Sequence, residues 1–312
     1  MVGSTLSLED RRALEALNFR LRTILPEEYQ DTYQSLEPKP MKSAGLKFDA
    51  DGQVAWDEIW GSFCDLAMAG GPPHKGALLE PGTRAAVGAE PATQAQVAAE
   101  ICRGIALATD LEAAPSEAAG WVRVTCLNDA MAGWLLRAIT MENVAVRASG
   151  GRLELPAAPH FRLEKEIKNV VTVAAKTCHY FLGHLPMTQR RRIAYLFATL
   201  DDSSPLIVPA WPDDDGVDAS RLAAAADRIA EGIARAAGLA RSQHRYAGWL
   251  GVECPSVRHA IWMMRALVVS NVLARREETT LLIPIDPVRD ADGAIVIEAV
   301  TRMHRLASAQ AS

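Results

Sequence analysis

The spacing of apolar positions predicts helices over 7–24, 55–69, 92–109, 129–142, 163–184, 188–200, 219–240, 256–269 and 293–308. Ser7 and Asn128 or Asp129 stand where helix N-caps belong. WVRVTC (121–126) and WLGVEC (249–254) alternate and read as strands. Two hairpins follow: Val144–Arg147 with Arg152–Leu155 around Ser-Gly-Gly, and one centred on Glu277–Thr279. Residues 25–54 carry three prolines and an Asp-Gly pair, and read as an irregular arm.

The pattern is written twice. Residues 119–159 match 247–287 at a constant offset of 128, without a gap. Trp121/Trp249, Cys126/Cys254, Trp134/Trp262, Arg137/Arg265, Asn143/Asn271, Arg147/Arg275 and Pro156/Pro284 are identical pairs. The expected architecture is α+β: two tandem α-α-β-α-β-β-α repeats with ferredoxin-like split βαβ cores, forming an internal pseudo-dimer. The expected divisions are 1–54 (N-terminal helix and arm), 55–187 (repeat one, the candidate functional half) and 188–312 (repeat two, a degenerate structural half). A polar residue present in one copy only is not required by the fold of that copy. The paired Arg and Asn residues are expected to fix the helix-to-hairpin turn on backbone carbonyls.

That comparison singles out the last helix of repeat one. Lys165, Lys168, Thr172, Lys176 and His179 fall within an arc of about 80°, opposite Ile167, Val170, Val171, Ala174, Cys178 and Phe181. The corresponding positions of repeat two are roughly Gly293, Ile297, Thr301 and His304, without lysine. Between Asn143 and Arg192 there are nine Lys/Arg and three acids, a local +6 in a chain of net charge −5. Such a face suits a small anionic ligand, a phosphate or a carboxylate; the competing reading is a solvated helix face. The segment FCDLAMAGGPPHKG (63–76) adds His74 and Lys75 beside glycines, a backbone able to approach an anion. It is neither a Walker A loop nor a dinucleotide fingerprint, and an ordinary helix-ending loop is its plainer interpretation.

The resulting candidates are His179 and His74 as general acid/base, and Lys165, Lys168, Lys176, Arg123, Asn128 and Lys75 as substrate-binding groups. Asn128 and Glu142 are polar extras of repeat one, replaced by Ser256 and Ser270. The four histidines in or near repeat one (74, 160, 179, 184) have no HxxxH or HExxH spacing, so no metal is assigned, and no cofactor follows from any motif.

Bulk numbers narrow the class further. The chain is 49% hydrophobic and 23% charged, as a globular protein should be. Net negative charge and 6% aromatic content disfavour nucleic acid as a partner. No apolar run reaches membrane-spanning length. Five cysteines without framework spacing fit a reducing cytoplasm. The sequence therefore suggests a soluble cytoplasmic enzyme on a small anionic metabolite. The alternative is a non-catalytic assembly or regulatory factor that grips an acidic partner or metabolite with the same face. A homo-oligomer is compatible with either.

Overall fold

The computed structural model describes residues 7–33, 45–58, 66–211 and 217–311. Its contacts divide the chain into a central unit (Pro26–Tyr29, Ser35–Ala194) and a terminal unit (Met1–Leu25, Gln30–Gln34, Tyr195–Ser312). The class is α+β, with two four-stranded antiparallel sheets among the described residues.

Helix α1 (Leu8–Ile24) belongs to the terminal unit; the central unit runs through α2 (Arg84–Ala89), α3 (Pro91–Thr109), β1 (Ala113–Pro115), β2 (Trp121–Thr125), α4 (Asp129–Met141), β3 (Arg147–Ser149), β4 (Arg152–Pro156) and α5 (Lys168–His179). Pro91 opens α3, where its missing N–H costs nothing, and Asp110 ends it in the left-handed region. Asn128 caps α4 by accepting from the Met131 N–H. A π-turn precedes α5 (Leu163–Ile167) and another follows it (Tyr180–His184). Helix α6 (Met187–Ser203) crosses the boundary into the terminal unit. That unit holds α1 (Leu8–Ile24), α7 (Ala219–Ala237), β5 (Arg241–Tyr246), β6 (Trp249–Glu253), α8 (Val257–Val268), β7 (Arg275–Glu277), β8 (Thr280–Pro284) and α9 (Ala294–Ala311).

The strand orders are β1-β2-β4-β3 and β5-β6-β8-β7. Because β2 and β3 both run antiparallel to β4, they are parallel to each other with β4 between them, and the α4 crossover joins them. β1 and β5 are additions to the expected element list. Ala113–Pro115 is too short to show alternation, and Arg241–Tyr246 (RSQHRY) has little apolar content. The helix expected over 55–69 falls partly on 59–65, outside the described residues; its two ends form the 3-10 turns Trp56–Glu58 and Ala67–Ala69.

The offset of 128 persists in the backbone hydrogen bonds. Leu79 N–H donates to Asn143 O and Ile207 N–H to Asn271 O; Gly82 N–H donates to Ala157 O and Ala210 N–H to Ile285 O. Asn143 and Asn271 adopt φ of 60° and 58°, and each donates its amide to the incoming loop: to the carbonyls of Lys75 and Gly76, and to Ser204 O and the Asp201 carboxylate. Asn tolerates the left-handed region and its amide secures the turn.

The central sheet carries the core on one face, whereas β6, β7 and β8 of the terminal sheet are buried on both. In the central unit Val122, Val124, Leu153 and Leu155 are buried on one face of the sheet, with α3 and α4 packed against its strands. Trp134 of α4 and Phe181 meet with ring centroids 5.6 Å apart, joining α4 to the end of α5. Truncating either ring to Ala removes contacts worth about 3–5 kcal/mol.

Gly120 and Gly248 have φ of 81° and 71°, and a Cβ there would lie 2.1 Å from Gly82 O and 2.3 Å from Ala210 O. Gly120→Ala and Gly248→Ala should each cost at least about 1–3 kcal/mol. Gly150→Ala (φ 58°, nothing within 4 Å) should cost no more than about 1 kcal/mol. Urea unfolding of the three variants checks this, and equal costs would contradict it.

Candidate functional site

Several residues whose type is not kept at the offset of 128 converge inside the central unit. Glu142 follows α4 directly and is 0% exposed; Lys176 of α5 is 1% exposed. Glu142 Oε1 accepts from Lys176 Nζ at 2.9 Å and from the Ala67 N–H at 2.9 Å, and its Oε2 accepts from the His74 N–H at 3.0 Å. The main chain of Glu142 also accepts from the Lys75 N–H at 3.4 Å. One carboxylate thus ties both sides of the 67–75 loop to the α4–α5 pair.

The His74 side chain then meets α5. Its Nε2 is 2.9 Å from Asn169 Oδ1 and 3.2 Å from Thr172 Oγ1. The Thr172 hydroxyl donates to the Lys168 carbonyl at 2.6 Å, so its oxygen faces His74 as an acceptor. With Asn169 in this orientation, Nε2 carries the ring proton and Nδ1 is the basic nitrogen. Burial first, and the positive charge of Lys176 second, push the His74 pKa from 6.5 down to about 4. The ring is therefore neutral at physiological pH. Lys168 and Thr172 are buried beside it.

The arc of basic residues on α5 thus splits. Lys168, Thr172 and Lys176 point inward, whereas Lys165 and His179 are exposed at its two ends. His179 and His74 do not share a cluster: His179 Nε2 lies 3.1 Å from His184 Nε2, and His184 Nδ1 lies 2.6 Å from Glu28. Burial and the His184 ring lower the His179 pKa. Lys75 is half-buried and enters the cluster through its main chain. Asn128 is exposed, spent on capping α4. Arg123 sits on the sheet face opposite Val122 and Val124, away from the helices.

Asn169 was not among the candidates. Its only signal was its place three residues before Thr172 and one after Lys168, on the flank of the basic arc. In the terminal unit the offset places Ser270 at Glu142 and His304 at Lys176; His304 Nδ1 instead bonds His259 Nε2 at 3.0 Å. Among the described residues no group of three or more His, Cys, Asp or Glu could hold a metal ion. No protein-family model, curated protein or solved structure matches the chain.

Two outcomes are expected. Glu142→Leu leaves a buried ammonium and two loop amides without their acceptor and should cost about 3–5 kcal/mol. Adding Lys176→Met should recover much of that loss, and a double-mutant cycle without coupling would refute the pair. For His74, a depressed folded pKa means that its stability contribution is complete above about 6.5 and is lost as pH falls toward about 4. The shift corresponds to about 3 kcal/mol. Unfolding free energies of wild type and His74→Gln between these pH values should converge as pH falls; parallel curves would show that the ring is not held neutral.

Proposed function

We propose that the central unit carries an acid/base site for a small anionic metabolite. In it, His74 Nδ1 accepts and returns a proton, and Lys168 and Lys176 hold the substrate's phosphate or carboxylate. The observation that carries this reading is a neutral imidazole, oriented by Asn169 and Thr172, in the same buried cluster as two lysines. A base uncharged at working pH and fixed by its other nitrogen suits proton abstraction. Buried ammonium groups in a low-dielectric setting attract an anion more strongly than solvated ones. Glu142 keeps Lys176 in place and would share its ammonium with the ligand.

The repeated backbone bonds support an origin of the two halves in duplication of a split βαβ unit related to ferredoxin-like cores. The half with Ser270 and His304 then serves as scaffold. Four buried free cysteines, Cys102, Cys126, Cys178 and Cys254, support a reducing cytoplasm as its compartment. No described helix is long and apolar enough to cross a membrane.

A second reading has its own support. Glu142 is bonded to two loop amides and to Lys176, which is how a purely structural staple would look. On that reading the chain is a non-catalytic assembly or regulatory factor, and an acidic partner or metabolite binds elsewhere on its basic surface.

Native mass spectrometry of freshly purified protein, followed by thermal shift against phosphorylated and carboxylate metabolites, separates the two. The acid/base site predicts a bound small molecule or a ligand-dependent rise in Tm that Lys168→Met abolishes and His74→Gln retains. A bare mass, with no shift from any metabolite, would overturn it in favour of the staple.

A further inference from the structure

The outward face of the β1–β4 sheet carries a second constellation, separate from the interior cluster. A cavity of about 540 Å3 opens there, lined by Ser116, Ala118, Arg123, Arg147, Ser149, Arg152 and Glu154, with Glu117 also at its edge. The register explains the gathering. Arg123 and Arg147 both pair with Glu154, so the three stand in one row across β2, β4 and β3. Arg152 stands two residues before Glu154 on the same face, paired with Ser149.

The charges are already partly settled. Glu154 accepts from Arg147 Nε and from the Ser116 hydroxyl. Arg147 in turn lies over the Trp121 ring at 4.5 Å. No described side chain hydrogen-bonds or pairs with the guanidinium of Arg123 or Arg152. Glu117 is exposed.

The terminal unit supplies the control. At the offset of 128, Ala118 becomes Tyr246, Arg123 becomes Gly251, Arg152 becomes Thr280 and Glu154 becomes Leu282. There Arg275, the counterpart of Arg147, is 0% exposed, enclosed by Tyr246 at 4.4 Å and Trp249 at 5.1 Å and paired with Glu277 at 2.7 Å. A Cβ on Gly251 would lie 2.9 Å from the Ser242 Cβ and 3.1 Å from the Thr280 methyl, so nothing like Arg123 fits. The same backbone therefore tolerates a filled face. The void and its two arginines are not needed to build the sheet.

We propose that this cavity is a binding site for a small polyanion, a phosphoryl or polycarboxylate compound, held by Arg123 and Arg152. Its volume is that of a small-molecule site. Guanidinium forks match phosphate and carboxylate oxygens in pairs. The row spacing of about 4.8 Å per strand places Arg123 and Arg147 roughly 10 Å apart, so the Arg147–Glu154–Ser116 chain forms a fixed wall. Ser149 adds a hydroxyl at the rim. The site is independent of the acid/base reading, since neither His74 nor either interior lysine lines it.

Titration calorimetry of the full chain at low salt, with pyrophosphate and citrate as probes, tests the site. At least one probe should bind saturably at one equivalent. Arg123→Gln and Arg152→Gln should each weaken it about tenfold, the loss of one charge-assisted contact. Ala118→Tyr, which copies the filled face, should abolish binding, and Glu117→Gln should tighten it about twofold to threefold by removing a repelling charge. Lys168→Met, which abolishes binding at the interior site, should leave it unchanged, and this separates the two sites. Should Ala118→Tyr fold poorly by circular dichroism, the Trp121 indole NMR signal of the wild-type protein replaces it and should move on titration. Absence of saturable binding by both probes, or binding indifferent to Arg123→Gln and Arg152→Gln, would overturn the proposal.

Discussion

The carboxylate of Glu142 lies out of reach of water, and the arrangement of the central unit's interior depends on how its charge is met. A buried carboxylate without partners would carry a desolvation cost of several kcal/mol. Here two loop N–H groups and one ammonium meet it from three directions. Each partner belongs to a different piece of chain: Ala67, His74 and Lys176. The requirement to satisfy one charge therefore fixes the loop against both α4 and α5. Through the His74 amide it also sets where the imidazole begins. The ring then reaches Asn169 and Thr172, one turn apart along α5. Loop position, ring orientation and proton location are consecutive results of one electrostatic constraint.

The two units separate what the fold requires from what it merely permits. Both keep the left-handed Asn after the helix, the positive-φ Gly before the strand and the same ladder of loop-to-sheet bonds. These are backbone necessities. A side chain at Gly120 or Gly248 would strike a carbonyl, and without Asn143 or Asn271 the turn loses its anchor on the incoming loop. Side chains projecting from the same frame diverge freely. Tyr246 fills a space that Ala118 leaves open, and Ser270 stands where Glu142 bears a charge.

Much of this frame was legible in the sequence, because periodicity and capping act locally. The β2–α4–hairpin order, the Asn128 cap and the Asn turn follow from residues within a few positions of one another. The short strands β1 and β5 were not legible: edge pairing with β2 and β6 gives them their form, and their own residues carry no alternation. The site was legible in part. The basic arc on α5 and the histidine in the Gly-rich loop were visible as residues without a like counterpart in the other half of the sequence. Their direction was not. A stripe of lysines on a helix ordinarily faces water, and only a carboxylate supplied by another element can turn Lys176 inward. Glu142, next to the invariant turn rather than on the helix, gives no local sign of that role. His179 belonged to the same arc by angle, but it stands at the helix end, where a π-turn brings His184 beside it.

The interior cluster is an expensive way to hold a loop. A buried ion pair is on average no more stabilising than apolar side chains of the same volume, because desolvation consumes the Coulomb gain. A neutral buried His adds a cost at acidic pH that an apolar residue would not. The terminal unit secures its corresponding loop through Asn271, which reaches Ser204 O and Asp201, with Ser270 in the place of Glu142. Stability alone therefore gives little reason for Glu142, Lys176, Lys168 and His74 to occupy one interior together. The proposed acid/base role would supply one: a fixed neutral base beside ammonium groups is organised before any ligand arrives, so the reorganisation that water would need during a proton transfer would already have been completed during folding.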